Sequence, residues 1–272
     1  MFPYLWRKFY ILKSRNVVLF ILLILFIDQA IKFYIKTHFY LGQEIKVFGL
    51  NWFRIHFVEN EGMAWGWKMG GQWGKIILTL FRLVAVIAGV FIIRGFIKKR
   101  YHRGFIICSS LIFAGALGNL IDSIFYGLFF NESDPYIQNI ATFMPKQGGY
   151  AGLLHGKVVD MLYFPIISNA HYPSWFPIWG GEDFEFFRPV FNIADASISI
   201  GVIAILIFQN KFFKNKEVDK HSTVETNANV DDNYQIQYSF TQIKKAPVAD
   251  RSFFIVVLIC LVRTRGNFSL PT

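Results

Sequence analysis

The sequence predicts an all-α membrane protein: four transmembrane helices, with a small external β-sheet and an interfacial loop or helix. Three observations carry that prediction. Of 272 residues, 54% are hydrophobic and only 17% are charged, well below the roughly one quarter charged in soluble domains. Four apolar runs each approach the ~20 residues that span hydrocarbon. The basic residues cluster beside particular runs, so the net charge of +10 reads as basic cytoplasmic ends rather than a nucleic-acid footprint. The two cysteines, Cys108 and Cys260, lie in apolar runs far apart. They predict free thiols, with neither a disulfide framework nor a metal site.

The predicted spans are 17–34, 76–96, 104–121 and 191–208. The first is too long for a signal peptide, and Asp28-Gln29-Ala30-Ile31-Lys32 follows its core without a small-residue cleavage site. Arg7, Lys8, Lys13 and Arg15 precede it; Arg94, Lys98, Lys99, Arg100 and Arg103 lie between spans two and three; Lys211, Lys214, Lys216 and Lys220 follow span four. Cytoplasmic loops carry such excesses. Both termini are therefore expected in the cytoplasm, with loops 37–75 and 123–190 external. Residues 1–16 form the cytoplasmic N-terminus, 17–212 the membrane domain, and 213–272 a polar tail. The tail is predicted to be disordered, and its apolar end segment is too short to span.

In the first external loop, alternation over 47–58 (VFGLNWFRIHFV) predicts short strands. The second external loop is rich in aromatics and prolines. Trp175, Phe176 and Trp179 suit a headgroup region.

Candidate chemistry sits at the span borders. Asn-x-x-Asp occurs in GNLID (118–122) and again in FNIAD (191–195), with Asp160 between them. Under the predicted orientation, Asp28 and Lys32 of span one, Asn119 and Asp122 of span three, and Asn192 and Asp195 of span four converge on the outer membrane border. Carboxylates are costly there and mark functional or paired sites. Asp28 and Lys32, four apart, share a helix face and can form a structural ion pair or shape a polar cavity. Asn192 and Asp195 fit an N-cap and its third helical residue. Asp122 is expected at a helix end, where the dipole disfavours it, so it needs a cation or a role in a site. Asp160 alone reads as an ordinary loop acid. Together these acids suggest paired carboxylates that share a proton, one activating water and the other protonating a carbonyl oxygen or leaving amine. Spacing does not say which two of the three form the pair. The six histidines form no HExxH and no close pair, so neither metal nor cofactor is expected.

Five words appear in order: DQAIK (28–32), VENEGMAWG (58–66), GALGNLID (115–122), VVD (158–160) and FNIAD (191–195). With them the chain resembles the lipoprotein signal peptidases, the bacterial type II signal peptidases, over about residues 16–212. The resemblance implies an intramembrane aspartic endopeptidase of the inner membrane, acting on diacylglyceryl-modified prolipoproteins just before the lipidated cysteine. It assigns Asp160 and Asp195 as catalytic. Asp28, Lys32, Asn60, Gly62, Asn119, Asp122, Asn192 and Ala194 shape the site or hold substrate. It also implies inhibition by globomycin-type antibiotics, and the chain is expected to act as a monomer without nucleic acid.

Two departures stand out. Ser123 occupies the place of the family's usual Arg, so another cation, Lys157 or Arg188, is expected to substitute. The stretch 123–156 is an insertion, expected as a lid, an interfacial helix or a surface loop. A proton-coupled transporter would instead predict inverted repeats and polar residues through the full bilayer depth. An assembly factor would use the aromatic loop to bind lipid. Polar groups gathered at one level speak against the transporter, and globomycin-sensitive cleavage by the pure protein would separate the peptidase from both.

Overall fold

The computed structural model describes residues 13–61, 72–171, 174–175, 181, 183–186 and 189–213. Gly62, Arg188, Cys260 and the tail beyond residue 213 lie outside them.

Among the described residues, four helices are long and apolar enough to cross a bilayer. They are α1 (Ser14–His38), α2 (Gln72–Lys98), α3 (Arg103–Ile121) and α4 (Ile193–Phe212). Each is longer than its apolar run, because polar residues at the borders continue the helical hydrogen bonding. Large side chains such as Phe26, Ile77, Phe91 and Ile207 point outward, more than 60% exposed, as lipid-facing positions should. Span four was placed two residues too early. Val190 and Phe191 form a strand, and the helix starts at Ile193 behind its cap, Asn192.

Helix α3 does not stop at Asp122. It runs through a π-helical turn, Asp122–Tyr126, into a last turn at Gly127–Phe129. The expected helix end at Asp122 is thereby corrected: Asp122 sits inside a continuing helix and meets no exposed C-terminal dipole. A π-turn carries one extra residue and often marks a functional site.

The main sheet has the order β1-β2-β3-β6, with β1 Glu44–Lys46, β2 Arg54–Asn60, β3 Val158–Tyr163 and β6 Val190–Phe191. All its pairings are antiparallel. A separate hairpin pairs β4 (Ile167–His171) with β5 (Asp183–Phe186). The expected strand over 47–58 is only half right. Val47–Gly49 is a tight 3-10 turn with Phe48 at φ 52° and Gly49 at φ 74°, and alternation there reflects side chains projecting from a hairpin tip. Beyond Phe129 the insertion forms no long helix. It folds back on α1 and α3 as an ordered loop, with bridges Tyr40↔Ile140 and Phe130↔Phe143.

Helix α4 packs chiefly on α3. Small residues of α3 permit close approach on two sides: a Cβ at Gly115 would collide with the Ala194 carbonyl oxygen of α4, and one at Gly118 would lie 2.6 Å from Asp28 Oδ2 of α1. Membrane helices associate through such close contacts. Gly115→Ala must push back backbone rather than a flexible side chain, so a loss of about 1–3 kcal/mol is expected. Thermal unfolding in detergent measures it, and an unchanged midpoint would show that the helices part freely. A core of Ile35, Phe57, Tyr126, Phe130, Ala141, Val159 and Met161 joins α1, the π-turn, the insertion and the sheet.

Candidate functional site

Sheet register and helix capping bring the border residues together. Strand β3 pairs with β6 through Leu162↔Phe191. Two residues back along β3 lies Asp160, and one residue beyond Phe191 lies Asn192, the first cap of α4. Asn192 Oδ1 accepts from Asp195 N at 2.9 Å, and Asp195 Oδ2 accepts from Asn192 N at 3.3 Å. This reciprocal capping box satisfies two otherwise orphaned donors. The capping expectation therefore holds, but it does not exhaust what these residues do.

Asn192 Nδ2 reaches Asp160 Oδ1 at 2.7 Å, and also lies 3.1 Å from both Asn119 Oδ1 and Val159 O. Asn119 Nδ2 donates to Asp195 Oδ1 at 2.8 Å. Asn60 Nδ2 donates to Asp160 Oδ2 at 3.2 Å. One asparagine thus touches both Asp160 and Asp195, and all four carboxylate oxygens accept from amide N–H groups. Both acids are buried, with Asp195 the more exposed of the two.

Beneath them lies a charged layer. Lys32 Nζ is fully buried and sits 2.9 Å from Asp28 Oδ2, 2.8 Å from Asp122 Oδ2 and 2.9 Å from Asn119 Oδ1. Its three ammonium protons match three acceptors. Asp28 Oδ1 in turn accepts from Ala194 N at 2.8 Å. It therefore caps the first turn of α4 from a different helix, where the dipole favours negative charge. Gln29 Nε2 donates to Asp122 Oδ1 at 2.8 Å, and Tyr126 OH approaches Gln29 Oε1 at 3.3 Å. Asp28, Lys32, Asn60, Asn119, Asp122, Asp160, Asn192, Ala194 and Asp195 thus form one connected network. Asn119 is its hinge, since its oxygen faces Lys32 and its nitrogen faces Asp195.

The expected substitution by Lys157 is corrected, while Arg188 lies outside the described residues. Lys157 turns to Glu59 and Glu132, at 3.8 and 3.7 Å. The cation at Asp122 is Lys32, from α1. The cation at Ser123 is Arg82, whose Nη1 donates to Ser123 Oγ at 2.9 Å. A guanidinium still reaches this place, contributed by α2 instead of by the residue after Asp122.

A second buried ion pair escaped sequence reasoning. Lys36 Nζ pairs with Glu59 Oε1 and donates to Ser133 Oγ at 2.9 Å. It lies 5.2–6.0 Å from the ring centres of Tyr150, Phe130 and Phe57, within cation–π range. The phenol of Tyr150 accepts from Lys157 N at 2.6 Å, and burial still pushes its pKa upward. Lys36 continues the four-residue spacing of Asp28 and Lys32, which was the available signal. Its partner Glu59 is on a strand and could not be paired with it by spacing. Glu59 immediately precedes Asn60, so this pair anchors the strand that reaches Asp160.

The sequence matches known proteins. A family model described as signal peptidase (SPase) II matches residues 20–211. The chain is 49% identical over 196 residues to the lipoprotein signal peptidase of Porphyromonas gingivalis, covering 72% of this chain and 83% of the relative. It is 32% identical over 207 residues to that of Amoebophilus asiaticus, covering 75% and 81%. A solved bacterial membrane enzyme is similar with a TM-score of 0.46 at 26% identity, covering 81% of this chain and 98% of that one. On the extent of the family match and the identity to these relatives, the chain belongs to the signal peptidase II family.

Proposed function

We propose that this multi-pass peptidase of the bacterial inner membrane is an aspartic enzyme. It removes the signal peptide from diacylglyceryl-modified prolipoproteins by cutting N-terminal to the lipidated cysteine. The observation that carries the reading is the Asp160–Asn192–Asp195 bridge. Among the acids of the network, Asp28 and Asp122 pair with Lys32, while Asp160 and Asp195 are joined through a single asparagine.

In the proposed step one of these carboxylates takes a proton from water as the water oxygen attacks the scissile carbonyl carbon. The other, protonated, gives its proton to the carbonyl oxygen. Collapse of the tetrahedral diol transfers a proton to the departing nitrogen. The products are a signal peptide with a free carboxylate and a lipoprotein with a free amine on its modified cysteine. Only two carboxyls and one water take part. Asn60, Asn119 and Asn192 hold the acids in place, and Lys32, paired with Asp28 and Asp122, fixes Asn119.

The basic clusters orient both termini to the cytoplasm, which sets the site near the outer leaflet. The diacylglyceryl chains remain in lipid and hold the scissile bond at that height. Proximity then does much of the selection. Globomycin-type inhibitors are expected to occupy the same site.

The test uses purified full-length protein in lipid with a diacylglyceryl prolipoprotein and its unlipidated precursor. Mass spectrometry should find cleavage directly before the modified cysteine, blocked by globomycin, and little or no cleavage of the unlipidated form. Equal cleavage of both forms would overturn the proposed substrate class.

A further inference from the structure

The insertion exposes apolar side chains that a water-facing loop would hide. Tyr136 is 94% exposed, Ile137 72%, Met144 66% and Phe143 47%. They are not loosely held. Asp134 Oδ1 accepts from Tyr136 N at 2.7 Å and so fixes the turn that projects Tyr136 and Ile137. Met144 N donates to Phe129 O at 2.7 Å, and Tyr150 N to Phe130 O at 2.8 Å. Ser133 is bound into the buried Lys36–Glu59 pair. The loop therefore presents its apolar groups from a fixed frame, and such a patch marks an interaction surface.

Its position names the partner. The Phe143 ring lies 5.3 Å from Phe33 of α1 and 5.9 Å from Phe129 at the end of α3. Both belong to spanning helices, and both are partly exposed. The apolar surface of the insertion is thus continuous with the lipid-facing surface of the bundle. A Tyr at the rim with aliphatic groups beside it suits the border between headgroups and hydrocarbon.

We propose that the insertion 123–156 is a lipid-seated element whose partner is the bilayer surface itself, with Ile137, Phe143 and Met144 immersed at the border. It leads directly into β3 and is tied through Ser133 to β2, so its seating sets the height of the strand bearing Asp160. The inference needs the membrane setting but not the catalytic assignment.

The test is depth measurement by spin labelling of the full chain in phospholipid vesicles, in a Cys108→Ala, Cys260→Ala background. Single cysteines carry a nitroxide at Ile137 and Met144, with Leu22 on α1 as the lipid control and Lys146 as the aqueous control. Labels at 137 and 144 should favour collision with oxygen over a water-soluble nickel chelate several-fold more than the label at 146. They should fall between the two controls. Ratios equal to those at 146 would overturn the proposal. So would spin–spin broadening that disappears on dilution with unlabelled protein, because the occupant would then be a second copy of the chain. Neither readout depends on peptidase activity.

Discussion

Asp160→Asn and Asp195→Asn, made separately, are each expected to lower cleavage of a diacylglyceryl prolipoprotein by at least about 10²–10⁴-fold, the range for losing a general acid or base. Each substitution keeps volume and removes one titrating group. The structural cost is modest and different in kind. At both positions the two carboxylate oxygens accept from N–H donors. An amide can face only one of those donors with oxygen, so one hydrogen bond is lost, at about 1 kcal/mol. Thermal unfolding and single-turnover cleavage on the same preparation separate the effects. A folded variant that cut at the parent rate would remove its residue from the proposed pair.

The largest loss of stability is expected from Lys32→Met. The lysine is fully buried between Asp28 and Asp122, and its removal leaves two like charges in a medium that cannot solvate them. Breaking a buried ion pair by deleting one partner costs about 3–5 kcal/mol. Adding Asp122→Asn removes one of the stranded charges, and the new amide can keep its oxygen toward Gln29. The double variant should therefore unfold at a higher temperature than Lys32→Met alone. If it were instead less stable, with losses simply adding, the two residues would not be coupled.

Much of this was legible in the sequence. Apolar run length is a one-dimensional property, so the four spans could be read directly. Asp28 with Lys32, and Asn192 with Asp195, are local pairs, and helical spacing places each on one face. What could not be read was long-range. Asp160 looks like a loop acid until β3 pairs with β2 and β6 and buries it. Asp122 meets Lys32 across 90 positions, and Lys36 meets Glu59 between a helix and a strand. The shift from Lys157 to Lys32 and Arg82 arises in the same way, because a long flexible side chain takes the partner that tertiary packing brings near. The misplaced strand at Val47 has a local cause. Gly49 and Asn51 carried a turn signal that competed with the alternation.

The bond from Ala194 N to Asp28 Oδ1 links residues 166 apart in sequence, one in α1 and one in α4. During synthesis α1, α2 and α3 can be in the membrane while Asp28 and Asn119 still lack their partners at the start of α4. Arrival of the fourth helix supplies the Asp195 carboxyl and the Asn192 bridge, and it places a backbone donor on Asp28. The order of biogenesis is therefore written into the site. A nascent chain arrested before α4 holds Asp160 without the Asn192 bridge to Asp195, and the network closes only when α4 has been delivered to the bilayer.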